Sequence, residues 1–300
     1  MKCSCIDIGS NTIKVSVFEK IGRHWKTAFY LGEQTGLISF VVCENGSRYL
    51  SNDGVFQMCE TLKRLVAFSE KNGCFKIFAF ATAALRGIDN IHHVLDEIKS
   101  SVGISVEVLS EEEEALCSLR GLLSDEMCEG VNEGIMVDMG GGSSEIVYFK
   151  NGEDPKITSL KIGCLDLTNK FIKSFPPKEE EIIKIREYVK NELRDCFFAK
   201  NTSCPVFLIG GTARAVLKLS SAITGKNKVT LLQSDFDLIV SGMVKEADVQ
   251  DAAKRIIPKR LYNITAGAAA YSEIIKYVSG SVIRVSESGV REGYLERILV

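Results

Sequence analysis

The chain lacks an excess of charge of either sign: 37 Lys and Arg stand against 39 Asp and Glu, a formal net charge of -2 over 300 residues. No global field therefore draws in nucleic acid or an anionic membrane, and a polyanionic ligand has to be held locally. Long apolar runs are also missing. Stretches such as "IFAFATAAL" at 77–85 fall well short of the ~18 residues that a bilayer span needs. The start, "MKCSCIDIGSN", passes from one lysine straight into a strand and a turn, without the apolar core or cleavage site of a secretory leader. A cytoplasmic location is expected. Histidine is scarce, at three residues (His24, His92, His93), and the ten cysteines contain no C-x-x-C pair. Zinc and a disulfide framework are both disfavoured; Cys3 and Cys5 alternate along the first strand and read as small buried hydrophobes.

What is present describes an ordinary globular protein, with 45% hydrophobic and 25% charged residues and a length that most naturally makes two domains. A hidden repeat supports that division. "CIDIGSNTIKVSVFEKIG" from residue 5 aligns with "MVDMGGGSSEIVYFKNGE" from residue 136, so that Asp7 falls on Asp138 and Gly9 on Gly140, 131 residues apart. Each copy reads as strand, glycine turn, strand. "KIFAFATAALRG" (76–87) resembles "PVFLIGGTARAV" (205–216) at nearly the same offset, each an apolar strand, a small-residue turn with Thr82 or Thr212, and a helix start. Helical spacing is expected over 53–72, 176–197, the segment around "RGIDNIHHVLDEIKSSVG" and "ADVQDAAKRI". The fold class is α/β, as two equivalent halves facing across a cleft.

Consecutive backbone N–H groups in a glycine turn form a concavity of positive partial charge, and phosphate can approach it only where no Cβ intervenes. Gly140, Gly141 and Gly142 offer such a turn, with the Ser143 and Ser144 hydroxyls beside it. A carboxylate ahead of the turn repels phosphate unless a divalent cation lies between them, so Asp7 and Asp138 suggest Mg²⁺. Taken alone, each turn is also an ordinary hairpin turn. Two copies with the same acid at matching offsets favour the ligand reading.

"IDIGSNTIKV", "ATAALRGIDN", "VLSEEEEAL", "VDMGGGSSEIV", "LIGGTARAV" and "SGVREGYLERIL" occur in the order in which similar blocks occur in the Ppx/GppA phosphatases, and the resemblance covers the whole chain. It implies duplicated ribonuclease-H-like domains of the actin, Hsp70 and sugar-kinase superfamily. The expected division is 1–118 plus 288–300 as domain I and 119–287 as domain II, with no C-terminal HD-type domain and a hinge at the helix after residue 110 and the returning C-terminal segment. The activity implied is removal of a terminal phosphoryl group from inorganic polyphosphate or pppGpp, with Mg²⁺ and a water nucleophile.

Such a hydrolysis needs the phosphate charge neutralised, water placed in line and a proton acceptor. The turns at Ser10, Asn11 and Thr12, at Gly140 to Ser143, and at Gly210, Gly211 and Thr212 are the phosphate-binding candidates. Arg86 and Asn90, read as i and i+4 near a helix start, match the family's arginine and asparagine; an arginine here serves equally as half of a surface ion pair. In "SEEEEAL", Ser110 and Glu113 have the spacing of a capping box, which leaves Glu114 free for the cleft. The family pattern S-G-x-E-E-A places the proposed general base at Glu114. Glu111 stands where the family carries glycine, a departure that bears on how the chain enters the helix. Glu145 matches the acid of the family's G-G-G-S-x-E block, which implies a catalytic part in positioning the water or a place in a metal set with Asp7 and Asp138, although a solvent-facing strand end is the plainer reading of that position.

The expected substrates are short polyphosphates or pppGpp, without nucleic acid or membrane, and a homodimer is a compatible assembly. Lys156, Lys161, Lys170 and Lys173, or "KRIIPKR" at 254–260, offer a basic track beyond the turns, or are ordinary solvated lysines. An ATP-dependent kinase and a nonenzymatic polyphosphate or nucleotide sensor are the rival classes.

Overall fold

A computed structural model describes residues 1–22, 24–280 and 282–299; Val300, placed in the first domain by the sequence, lies outside them. The chain divides into two compact units, Met1–Cys117 with Val290–Val300, and Ser118–Gly289. The first contains β1 (Lys2–Ile8), β2 (Thr12–Ile21), β3 (His24–Gln34), the ribbon β4 (Val41–Glu44) and β5 (Ser47–Leu50), α1 (Asn52–Lys71), β6 (Cys74–Ala81), α2 (Ile91–Val102), β7 (Glu107–Val108) and the start of α3 (Glu111–Leu123). The second holds the end of α3, then β8 (Glu133–Met139), β9 (Ser144–Lys150), β10 (Lys156–Leu160), α4 (Cys164–Phe171), α5 (Glu179–Glu192), β11 (Val206–Ile209), α6 (Gly211–Thr224), β12 (Thr230–Leu231), α7 (Gln233–Lys245), α8 (Ala247–Ile256), α9 (Ile264–Val278) and β13 (Ile283–Val285). The last helix, α10 (Val290–Leu299), belongs to the first unit.

The two sheets share one plan. In the first the strand order is β3-β2-β1-β6-β7, and in the second β10-β9-β8-β11-β13 with β12 added at the edge. Each begins with three antiparallel strands and continues with two parallel ones. This is the duplicated ribonuclease-H-like α/β architecture that the repeat implies.

Period-2 alternation decides which residues face which layer. From β1 and β2, Ile6, Ile8, Ile13 and Val15 pack with Met58, Leu62 and Leu65 of α1 and Val94 and Ile98 of α2. Cys3 and Cys5 point to the opposite face and join Phe18, Phe80, Leu109, Tyr294 and Leu295. Helix α10 thus covers that face, with the Phe80 and Tyr294 rings 4.7 Å apart. Burying each large apolar side chain contributes roughly 1.5–3 kcal/mol before entropy is counted. In the second unit α9 is buried on nearly every side from Ile264 to Ile275. Its small residues allow close approach: a Cβ on Gly267 would run into Thr212 at the start of α6.

One local expectation is corrected. Arg86 and Asn90 do not lie on a helix, because α2 begins only at Ile91 and residues 83–87 form turns ending at Gly87, φ 69°. The Asn90 amide clamps the end of β5 instead, accepting from Leu50 N at 3.1 Å and donating to Leu50 O at 2.9 Å. Both of its polar groups are spent on the Leu50 backbone, just before α1.

The entry to α3 forms as the spacing requires. The Ser110 hydroxyl accepts from Glu113 N at 3.1 Å, and the Glu113 carboxylate accepts from Ser110 N at 2.8 Å. The Ser110 amide, and then its hydroxyl, hold the Glu113 carboxyl below its ordinary range. A lowered folded-state value adds stability that is complete above the ordinary carboxylate range and disappears as pH falls through the lowered value. Glu113→Ala should cost about 1 kcal/mol near neutrality, and the gap from wild type should close in acid; Glu113→Gln should keep most of the cap. Thermal melts of the three proteins across pH check both.

Candidate active site

The two glycine turns are built alike. In the first, Gly9 N donates to Thr12 O at 3.2 Å; in the second, 131 residues on, Gly140 N donates to Ser143 O at 2.9 Å. The carbonyls between are drawn inward. Asn11 O accepts from Thr35 N and Gly36 N, both at 3.0 Å, and Ser10 O from Ile38 N at 2.9 Å. Gly140 O accepts from Cys164 N at 3.1 Å, and Gly141 O from Leu165 N and Asp166 N at 2.9 and 3.0 Å. With carbonyls committed to one side, the peptide planes turn their N–H groups to the other. The amides of Ser10, Asn11, Gly141 and Gly142 donate to no acceptor among the described residues.

The glycines serve close approach rather than unusual dihedrals. None of Gly140, Gly141 and Gly142 has positive φ. A Cβ on Gly163 would collide with the Gly141–Gly142 backbone, whereas one on Gly142 would meet nothing. Gly163 lets the start of α4 press against the turn from within, and Gly142 keeps its outer surface bare. The Ser144 hydroxyl, expected to face the ligand, points inward and donates to Ile162 O at 2.6 Å.

Asp138 and Glu145 stand directly opposite each other on β8 and β9. The Ser118 hydroxyl donates to Asp138 Oδ2 at 2.8 Å, while Ser143 and Ser159 donate to Glu145 Oε1 at 3.0 and 3.1 Å. Glu145 is buried. Two like charges facing across a strand pair destabilise it, and a cation between them removes the penalty. This all-oxygen pair beside a phosphate-sized turn fits Mg²⁺, which takes one or two carboxylates and completes its shell with water and phosphate. No group of three or more metal-ligating side chains is gathered among the described residues. Asp7, in the first unit, has Lys14 at 3.6 Å.

On α3 the four glutamates divide. Glu113 closes the cap, and Glu114 pairs with Arg86 Nη2. Arg86 is fixed on its remaining edges as well, donating from Nε to Leu109 O at 3.1 Å and facing Glu111 Oε1 from Nη1 at 3.3 Å. Glu114 and Ser118 are four residues apart on α3 and so share one face of it.

Two arginines were not singled out from the sequence. Arg260, visible only as the end of a basic run, lies over Gly211, where a Cβ would strike its guanidinium, and approaches Thr212 Oγ1 at 3.5 Å. A cation at the first turn of α6 opposes the helix dipole, an arrangement that an anion between them would reverse. Gly210 makes the bend into α6 at φ 99°. Arg291, from the "VREG" block, is half-buried, with Nη1 buried and unpartnered and its guanidinium 5.1 Å from the Tyr30 ring. Burial works against its charge, and the carboxylates of Glu292 and Asp7 outweigh that, leaving it firmly protonated. No periodicity announces either residue, because both act from segments whose partners are distant in sequence.

A duplicated ribonuclease-H-like fold with outward-facing amide turns beside paired carboxylates defines a protein that handles phosphate groups. The chain belongs to the Ppx/GppA phosphatase family, which it matches over residues 27–300, and is accordingly a hydrolase of phosphoric anhydrides. Exopolyphosphatase 1 of Mycobacterium tuberculosis is 22% identical over 309 residues, covering 100% of this chain and 88% of that protein. A guanosine-5'-triphosphate,3'-diphosphate pyrophosphatase of Photobacterium profundum is 25% identical over 170 residues, 57% of this chain and 33% of its own length. The crystal structure of the Aquifex aeolicus family member superposes with a TM-score of 0.82 at 25% identity, covering 100% of this chain and 98% of that one.

The glycine geometry separates stability from binding. Gly142→Ala should leave the melting temperature unchanged, since its methyl meets open space, and should weaken binding of inorganic phosphate. Gly163→Ala should lower the melting temperature by several degrees, because overpacking against backbone costs roughly 1–3 kcal/mol. Melts and phosphate titrations of both variants test this.

Proposed function

We propose that the enzyme releases terminal phosphate from short inorganic polyphosphates by attack of water, with Glu114 as general base. The observation carrying this reading is the division of labour on α3: Glu113 is committed to the cap, and Glu114, one residue on, is held by Arg86. Arg86 keeps Glu114 oriented to take a proton from water and brings positive charge to the phosphate. In the second unit the amides of Gly141 and Gly142 bind phosphate oxygens, with the Gly210–Thr212 turn and Arg260 beside them in that unit; in the first unit the amides of Ser10 and Asn11 are the corresponding phosphate ligands. Asp138 and Glu145 would hold Mg²⁺, which when bound neutralises phosphate charge. The Ser118, Ser143 and Ser159 hydroxyls fix those carboxylates in place. Asp7, flanked by Lys14 and Arg291, takes the lesser part, because its charge is already offset within its own unit.

Short chains are favoured over long ones because the lysines that would extend a basic track are partly engaged elsewhere. Lys170 Nζ lies 3.8 Å from the Tyr188 ring centroid and Lys156 Nζ 5.7 Å from that of Tyr148. Action on pppGpp is the second reading, supported by the Photobacterium profundum relative.

Phosphate release from polyphosphates of defined length and from pppGpp, measured in one assay with Mg²⁺, tests the proposal. Glu114→Gln should lower turnover roughly 10²- to 10⁴-fold without changing the melting temperature. Asp138→Asn should lose both activity and the Mg²⁺ dependence, while its amide oxygen still accepts from Ser118. Normal turnover by Glu114→Gln would remove it as the base, and release from pppGpp alone would transfer the assignment to the second reading.

A further inference from the structure

Each nitrogen of the Arg86 guanidinium has an acceptor or carboxylate beside it within its own unit: Nε has Leu109 O, Nη2 has Glu114 and Nη1 has Glu111. These partners are not equally held. Leu109 is fully buried, and the Glu114 side chain is 21% exposed, but that of Glu111 is 60% exposed. Its 3.3 Å approach to Nη1 is its one ion pair among the described residues. Glu111 is the first residue of α3, one step past the cap at Ser110, so its side chain swings to solvent without disturbing the helix. A phosphate oxygen coming to Arg86 from the Nη1 side meets the Glu111 carboxylate, the least firmly held of the three.

We propose that Glu111 is an affinity-setting residue, a carboxylate that occupies Arg86 Nη1 in the free enzyme and is exchanged for a phosphate oxygen when substrate or product binds. The inference rests on Arg86 serving as a phosphate ligand in the proposed reaction. Glu111 takes no part in bond making. It acts by competition, and its effect falls on binding and not on the chemical step. Because product phosphate must make the same exchange, Glu111 also speeds product departure.

Exposed ion pairs of this kind change equilibria by about two- to five-fold. In Glu111→Gln the KM for tripolyphosphate and the Kd for inorganic orthophosphate, read by calorimetry, should each fall by that factor, with kcat not reduced. Glu112→Gln makes the same change of charge at the same helix start but lacks an ion pair to Arg86, and should match wild type in both constants. In an Arg86→Ala background, Glu111→Gln should have no effect on orthophosphate binding. Equal constants for wild type and Glu111→Gln, or an equal drop in Glu112→Gln, would overturn the inference while leaving hydrolysis intact. Failure of wild type to release phosphate from any phosphoanhydride would instead remove the reaction on which it rests, and the orthophosphate titrations would still report whether Glu111 competes at Arg86.

Discussion

The peptide planes of the two glycine turns are oriented by bonds to their carbonyls from the segments that follow. Thr35, Gly36 and Ile38 draw the first turn's carbonyls inward, and Cys164, Leu165 and Asp166 draw those of the second. A backbone held this way cannot avoid presenting its N–H groups outward, and a turn of outward amides attracts anions before any side chain is considered. The same constraint explains Gly163, which must lack a Cβ for α4 to come close enough, while a Cβ on Gly142 would meet nothing.

Charge around the turns follows a similar logic of prior commitments. Glu113 is used by the cap, Ser144 by Ile162, Asn90 by Leu50. Near the second turn Asp138 stands opposite Glu145, the first held by Ser118 and the second by Ser143 and Ser159. Along α3, Glu114 pairs with Arg86.

Much of this was legible in the sequence, and the misses have physical causes. The repeat with its matching acids pointed to both β–turn–β units, and the equal strand orders follow from it. Spacing alone identified the Ser110–Glu113 cap. Helix α9 was not seen because "ITAGAAAYSEII" is buried all round and has no polar face to set a period. The segment at 82–90 resembled the start of α6 in residue type, yet Gly87 and the clamp of Asn90 on Leu50 keep it out of a helix. Arg260 and Arg291 could not be placed from sequence because their neighbours, Thr212 and Tyr30, lie far along the chain.

The central claim is that water attacks the terminal phosphorus of a phosphoanhydride chain. Hydrolysis of tripolyphosphate by the wild-type enzyme in heavy-oxygen water, followed by mass analysis of both products, tests it most directly. Terminal attack predicts heavy oxygen in the released orthophosphate and none in the pyrophosphate left behind. Label in the pyrophosphate, or no release of orthophosphate in the presence of Mg²⁺, would contradict it.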